Sequence, residues 1–236
     1  MSDTQTLLNM RTDVRRHANL ENSQVVTDAE VNYKLNYHLK WLYNHIIEAD
    51  ACQYYASKSF TTSSNVASYS IDSIIPPGGT DPQFYKLAGI DISLADGTIN
   101  ARRYGNSERN YWKAMPFLTT ARGWPENYRL EGNNLTMQPT PTGAYTITLN
   151  YYPTFKALVA DVDTFDGVSG WELYAIYKTA AYCLGKQDRD ASFWEAQAAA
   201  VLDDIKQFAA TRDEGEPERS VDVYSIPVGY MYGRRW

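Results

Sequence analysis

The sequence predicts an α+β protein with an antiparallel helical bundle formed by both chain ends, an inserted β-rich (sandwich-like or barrel-like) domain and an extended C-terminal arm. Apolar residues recur at helical spacing near both ends of the chain. Between them, strand-like segments alternate with turn signals. The last residues are rich in aromatics but contain Pro and Gly, which interrupt helices. We therefore assign residues 1–50 and 168–214 to the bundle, 51–167 to the β-rich domain and 215–236 to the arm.

Two helices are predicted before residue 50. The first spans about Thr4 to Ala18, with Leu7, Met10 and Val14 on one face. The second opens at Thr27, because Thr27 and Glu30 fit the T-x-x-E pattern of a capping box. Its core-facing stripe has five apolar members, Val31, Leu35, Leu39, Leu42 and Ile46.

A second stripe, of Tyr33, Tyr37 and Trp41, runs along the same helix beside the apolar one. Such a helix either packs on both sides within its own chain or contributes to an assembly surface. We expect packing within the chain, which is the commoner case, and keep the assembly surface as the alternative.

The middle of the chain is predicted to form strands. Asp96-Gly97 between two strand-like runs is a two-residue hairpin signal, and Gly132-Asn133-Asn134 marks a second turn. Residues 145–153 alternate apolar and polar side chains with the period of a half-buried strand.

Two further helices are predicted after residue 168. One begins at Ser169, where Ser169 and Glu172 again fit a capping box. The other spans about Ala191 to Arg212. Its apolar residues, spaced as in a coiled-coil seam, are Trp194, Ala198, Val201, Ile205 and Phe208. The alanines of this helix permit close approach by a neighbouring helix.

Composition excludes several classes of protein. A net charge of -6 and a pI of about 5.1 argue against a general nucleic-acid binder, which usually carries a basic surface. We expect neither a signal peptide nor a membrane span, since no apolar run is long enough. Cys52 and Cys183 lie in apolar surroundings and are expected to be buried, reduced thiols, with a single disulfide as the alternative.

No motif predicts catalysis, a metal or a cofactor. The run Asp161 to Gly167 approaches a calcium loop, but its third aspartate is one residue late and no acid follows at the bidentate position. We interpret it as a turn before a helix. Of the three histidines, His17, His38 and His45, the last two are seven residues apart on the second helix and could share a face, but no third ligand is suggested. The chain also lacks zinc, Walker and nucleophile-elbow motifs. The sequence therefore predicts a protein that is not an enzyme.

One segment combines cations with aromatics. Its members are Arg102, Arg103, Tyr104, Arg109, Tyr111, Trp112 and Lys113. This mixture suits single-stranded nucleic acid, but a hairpin edge packed on another subunit has the same composition. The acidic total favours subunit packing.

The C-terminal residues 220–236 have the composition of a docking segment. Tyr, Trp and Arg anchor protein interfaces, whereas disordered tails are normally poor in aromatics. The candidate contact residues are Tyr224, Tyr230, Tyr232, Arg234, Arg235 and Trp236. We expect an extended arm that binds another protein or a neighbouring copy, and the alternative is a strand that folds back on its own domain.

Residues 126–222 resemble the head-to-tail adaptor (connector) proteins of tailed bacteriophages. The resemblance lies in the order and spacing of several short segments. They are Tyr128 to Gly132, Leu135 to Pro141, Tyr151 to Pro153, Asp163 to Gly167, Gly170 to Glu172 and Arg212 to Arg219. Residues 1–125 agree in layout rather than by motif.

This resemblance implies a structural component of the virion neck, assembled in the host cytoplasm. Such proteins form a ring, usually of twelve copies, beneath the portal protein. The implied partners are the portal, neighbouring subunits of a homododecamer and a downstream tail or nozzle protein. DNA would pass through the ring without sequence-specific binding, and no cofactor or membrane is implied.

Within this interpretation the C-terminal arm is the portal contact, and acidic residues line the DNA channel. The candidate channel acids are Asp203, Asp204, Asp213, Glu214, Glu216 and Glu218. Negative charge there would repel phosphate and keep DNA from adhering. Two alternatives remain: another neck or tail ring protein, such as a stopper or tail terminator, and a carbohydrate-binding or hydrolytic module suggested by nineteen tyrosines and six tryptophans.

Overall fold

The computed structural model of the protein describes residues 5–21, 25–49, 54–94, 97–105, 107–108, 124–165, 168 and 170–211. Within these residues it is mixed α+β, as predicted, with five helices and two four-stranded sheets. The helices are α1 (Leu7–His17), α2 (Asp28–Glu48), α3 (Ile71–Ile74), α4 (Leu173–Gly185) and α5 (Ser192–Thr211).

The strands form two separate sheets. They are β1 (Ala56–Thr61), β2 (Ser68–Ser70), β3 (Phe84–Leu94), β4 (Gly97–Asn100), β5 (Arg102–Arg103), β6 (Asn127–Glu131), β7 (Asn134–Gln138) and β8 (Thr146–Pro153). One sheet has the order β1-β8-β3-β4 and the other β2-β7-β6-β5. All pairs are antiparallel except β5 and β6, which are parallel.

The barrel-like alternative is wrong for the described strands, because neither sheet closes on itself. The two sheets instead share a hydrophobic cluster. Ile90, Ile147 and Leu149 come from the first sheet, and Leu135 and Met137 from the second. Their burial removes apolar surface from water on one face of each sheet.

Both predicted hairpins are present. Gly132-Asn133 joins β6 to β7, and Gly132 has a φ of 60°, a conformation that glycine adopts without steric cost. In the other hairpin Gly97 pairs with Leu94 and so belongs to β4. The prediction that Gly97 belongs to the turn is therefore wrong, while Asp96 lies outside the described residues.

A second hydrophobic cluster joins helices from the two ends of the sequence. It contains Leu7 of α1, Leu39 of α2, Ile176 of α4 and Ile205 of α5, all at most 3% exposed. The five predicted core residues of α2 are all buried. The division into a bundle and an inserted domain stays a prediction.

The capping boxes form only in part. The Thr27 side chain accepts a hydrogen bond from the Glu30 backbone N–H (3.3 Å), which confirms the predicted start of α2. The Glu30 carboxylate, however, binds the side chains of Tyr182 on α4 and of Lys186, the residue that follows this helix. Helix α4 begins at Leu173, not at Ser169, because Gly170 has a φ of 95° and cannot continue a right-handed helix. The Glu172 carboxylate accepts from the Gly170 N–H (3.0 Å).

The side chain of Asn36 ties α2 to the segment that follows β8. Its amide nitrogen donates to the Leu158 carbonyl (2.9 Å), and its amide oxygen accepts from the Leu158 N–H (2.7 Å). The Tyr43 hydroxyl of the same helix donates to the Pro153 carbonyl. These contacts set where the chain leaves the first sheet relative to α2.

We predict that Asn36→Ala lowers the free energy of unfolding by about 1–3 kcal/mol, because it leaves a part-buried N–H and carbonyl of Leu158 without these partners. Asn32→Ala, one turn earlier, is the matched control. The buried amide oxygen of Asn32 has no hydrogen-bond partner within the described residues, so its loss should change stability by less than about 0.5 kcal/mol. Urea unfolding measures the free energy of unfolding of both variants. Equal losses of stability would contradict the role given to the hydrogen bonds between Asn36 and Leu158.

Candidate assembly surface

The aromatic stripe of α2, defined as Tyr33, Tyr37 and Trp41, faces solvent. These side chains are 67%, 54% and 46% exposed. Their spacing of four residues places them on one face of the helix, away from the buried residues. The expectation that the stripe packs within its own chain holds only in part for Trp41, which stacks on the buried Tyr174 ring of α4 (6.3 Å between centroids). The exposure of Tyr33 and Tyr37 supports the assembly alternative.

Neighbouring side chains hold the stripe in place. The Lys34 ammonium lies over the rings of Tyr33 and Tyr37, 5.9 Å from each centroid, and 4.1 Å from that of Tyr182 on α4. The Trp41 ring packs edge-on against His45 at 4.1 Å. Ordered rings lose less conformational entropy on binding, which favours a preformed contact surface.

A charged link fixes α2 against α4 beside the stripe. The Glu30 carboxylate accepts hydrogen bonds from the Tyr182 hydroxyl (2.8 Å) and the Lys186 ammonium (2.6 and 2.7 Å). Hydrogen bonding from Lys186 and then Tyr182 lowers the pKa of Glu30, and the bond to Glu30 raises the pKa of Lys186. The Lys186 charge is thereby matched by a carboxylate of its own chain.

Other lysines near the stripe have no such direct ion pair, although the Glu30 carboxylate also interacts electrostatically with Lys34. Lys34 and Lys40 lie on opposite flanks of the stripe, and Lys178 lies on α4 near Lys34 and His38. In the part of the chain that the structure describes, no carboxylate forms an ion pair with any of the three. The stripe is therefore a positively charged aromatic surface on a protein of net charge -6.

Helix α5 presents a different exposed surface. Its buried residues are Ala198, Ile205 and Ala209. The opposite side, which we call the α5 outer face, consists of Ala196, Ala199, Ala200 and Asp203, all exposed. Asp204 is exposed as well, but it is rotated by about 100° from Asp203 around the helix.

Of the predicted interface and channel residues, only Asp203 and Asp204 lie within the described residues. The six arm residues, Tyr224, Tyr230, Tyr232, Arg234, Arg235 and Trp236, lie outside them. The same holds for Asp213, Glu214, Glu216 and Glu218.

The acidic run at Asp161 has a structural role. The Asp163 carboxylate accepts the backbone N–H groups of Val159 and Ala160 (2.7 and 2.8 Å), which lowers its pKa. Asp161 pairs with Arg11 (3.1 Å). These contacts support the turn interpretation. Within the described residues, no group of three or more His, Cys, Asp or Glu side chains could hold a metal ion.

The cationic segment is divided by the structure. Arg102 and Arg103 form β5 with exposed side chains, and Arg102 pairs with Glu108 (3.5 Å), whereas Tyr104 is buried. Arg109, Tyr111, Trp112 and Lys113 lie outside the described residues. Cys183 is buried and reduced, as predicted, and burial raises the pKa of its thiol to about 11; Cys52 lies outside the described residues.

A cavity of about 830 Å³ opens between the hydrophobic cluster of the helices and the start of β3. Aromatic side chains line it, among them Tyr43, Tyr54 and Phe155. Its two carboxylates are already engaged, Asp81 with the Lys58 ammonium (2.7 Å) and Asp163 with backbone N–H groups. Among the described helices, none is long and apolar enough to cross a membrane.

The mixed fold and the exposed aromatic stripe define a protein whose described surface is suited to association with other chains. A family model described as SU10 adaptor protein matches residues 5–222, and the chain belongs to this family. The family is one of phage head–tail adaptors, which indicates a structural virion component and confirms the resemblance found in the sequence. Comparison with curated proteins gives no match.

His38, beside the stripe, provides a test of the local electrostatics. Burial lowers its pKa to about 4, and the ammonium groups of Lys178 and Lys34 act in the same direction. The folded state therefore holds the ring neutral where the unfolded chain would protonate it. The contribution of neutral His38 to the free energy of unfolding is therefore fully present above about pH 6.5 and is lost as the pH falls to about 4.

We predict that His38→Gln reduces the loss of unfolding free energy between pH 6.5 and 4 by about 2 kcal/mol. This is less than the whole pKa difference would give, because the ring is only half-buried and solvent screens its charge. A smaller slope should remain from His17, whose pKa burial also lowers. Urea unfolding at several pH values measures the slope, and NMR titration of the His38 ring measures the pKa directly. Titration of His38 near pH 6.5 would contradict the prediction.

Proposed function

We propose that this protein is the head-to-tail adaptor that forms a homododecameric ring beneath the portal and joins the DNA-filled head to the tail. The observation that carries the proposal is the match to the adaptor family over residues 5–222. The exposed aromatic stripe adds physical support, because large aromatic patches on a soluble subunit favour contact with another chain.

We also propose the finer organisation. Residues 1–50 and 168–214 form the antiparallel helical bundle, 51–167 the inserted β-rich domain and 215–236 an extended arm. The hydrophobic cluster shared by α1, α2, α4 and α5 supports the bundle, and the cluster between the two sheets supports a separate β-rich domain.

The mechanism is assembly rather than catalysis. The arm binds the portal, neighbouring subunits pack side by side, and the completed ring presents a platform to a downstream tail or nozzle protein. Repetition around a ring turns modest individual contacts into a durable joint, because each further contact is intramolecular. Ordering of the arm on binding would offset part of its contact energy.

The channel of the ring would carry DNA without reading its sequence. We propose that the candidate acids Asp203, Asp204, Asp213, Glu214, Glu216 and Glu218 contribute negative charge near the DNA path. Both acids of α5 among them are exposed, which such a role requires. Like charge would keep the phosphates from adhering to the wall.

We predict that deleting residues 220–236 abolishes capture of the portal protein of the same phage, while thermal unfolding of the remaining chain stays unchanged. The single change Trp236→Ala, or the pair Arg234→Ser and Arg235→Ser, should weaken capture about tenfold or more, as expected when an interface anchor is lost. Tyr85→Ala, which removes an exposed ring of β3, is the control that should leave capture intact.

A pull-down with immobilised portal measures capture, and native mass measurement with and without portal gives the number of copies bound. Normal capture by the truncated chain would contradict the role of the arm. Binding to a tail-tube protein with no binding to portal would instead favour a stopper or tail terminator.

A further inference from the structure

We propose that the aromatic stripe of one copy packs on the α5 outer face of a second copy. The inference rests on the proposed function for the presence of that second copy, and it goes further by naming which two surfaces meet. The stripe is Tyr33, Tyr37 and Trp41, and the receiving surface is Ala196, Ala199, Ala200 and Asp203.

The two surfaces have matching shapes. The stripe projects three large rings at intervals of four residues, which makes a ridge along α2. The α5 outer face carries three alanines, which leave a shallow groove along that helix. A ridge of rings on a groove of alanines lets the two helices approach closely and removes the exposed aromatic surface from water.

The charges of the two surfaces are opposite. Lys34 and Lys40 flank the stripe, and in the described part of their own chain neither forms a direct ion pair, although Glu30 acts on Lys34 electrostatically. Asp203 lies on the α5 outer face, and Glu195 is exposed on the same helix. Opposite charges across an interface favour the correct partner and register, because a displaced or reversed arrangement places like charges together.

A single chain cannot make this contact with itself. Helices α2, α4 and α5 bury their other faces in one shared cluster, so the stripe and the α5 outer face both point away from it. The partner must therefore be another copy. Because the two surfaces differ, the contact is heterologous, and its repetition either closes a ring or extends a filament.

The proposal assigns different positions to two adjacent aspartates. Asp203 lies near the centre of the α5 outer face, so its charge is paired with the neighbouring copy and it leaves the set of channel acids, while Asp204, about 40° beyond Ala200, lies at the edge of the contact. This difference supplies a graded comparison, since both residues are exposed acids of the same helix and differ in their distance from the centre of the contact.

A charge-exchange experiment on the full chain tests the proposal. Asp203→Lys and Lys40→Glu should each weaken self-association at least about tenfold, because each places like charges in contact, and the two changes together should restore it to within about threefold. Asp204→Lys, at the edge of the contact, should weaken self-association less than Asp203→Lys does. Sedimentation velocity over a range of concentrations measures all four variants, and equal effects of Asp203→Lys and Asp204→Lys would overturn the proposal.

Disulfide trapping provides a second readout that also detects a weak contact. A mixture of Tyr37→Cys chains and Ala199→Cys chains should form a crosslinked heterodimer under mild oxidation. The mixture of Tyr37→Cys and Asp72→Cys chains is the control and should not exceed wild-type background, because Asp72 is exposed on α3, which packs in the other cluster. No crosslink above background in the first mixture, both free and on portal, would overturn the proposal.

Portal capture separates this proposal from the proposed function. If wild-type chains bind portal but the exchange and trapping results are negative, the adaptor role stands and the interface assignment is wrong. If the exchange and trapping results are positive but wild-type chains do not bind portal, the interface stands and the adaptor role is wrong.

Discussion

Burial of one apolar cluster by helices from both ends of the sequence is the constraint on which the rest of the structure depends. Leu39 of α2, Ile176 of α4 and Ile205 of α5 all lose their exposed surface in this cluster. The chain between α2 and α4 must therefore leave and return at nearby points. The two hydrogen bonds between Asn36 and Leu158 secure the return, beside the segment that leaves β8. The helix faces that are buried in this cluster determine which faces remain exposed on the outside of the protein.

Helix α2 illustrates the consequence. The shared cluster covers its core face, so the three rings of the aromatic stripe lie outside that cluster and stay about half or more exposed, although Trp41 stacks on the buried Tyr174 ring of α4. Contacts with Lys34 and Tyr182 keep that surface ordered while it is still exposed. A monomer gains little from an ordered, exposed aromatic surface, whereas a subunit of a larger assembly gains a preformed contact. This physical argument and the family membership agree on a structural component of the phage neck.

Local features of the fold were predictable from sequence, and long-range features were not. Thr27 caps α2 as its pattern indicates, and Gly132 sits in the hairpin turn it signals, because both depend on residues only a few positions apart. The start of α4 was misplaced, since the positive φ of Gly170 is invisible to a capping pattern. The helical spacing of Tyr33, Tyr37 and Trp41 places them on one face of α2, but it cannot show whether another part of the chain covers that face. The strand order that gives two open sheets and no barrel also depends on contacts between distant residues, such as the pairing of β1 with β8. The proposed arm and four of the six channel acids lie outside the described residues, so they stay predictions.

The central claim is that rings left bare in the single subunit become covered when copies assemble. Hydroxyl-radical footprinting of the free protein and of the assembled neck measures this directly, because the oxidation rate of Tyr and Trp follows their exposure. The account predicts that oxidation of Tyr33, Tyr37 and Trp41 falls several-fold on assembly, while Trp171, already buried in the subunit, reacts slowly in both forms. Unchanged oxidation of the three rings in the assembled neck would contradict it.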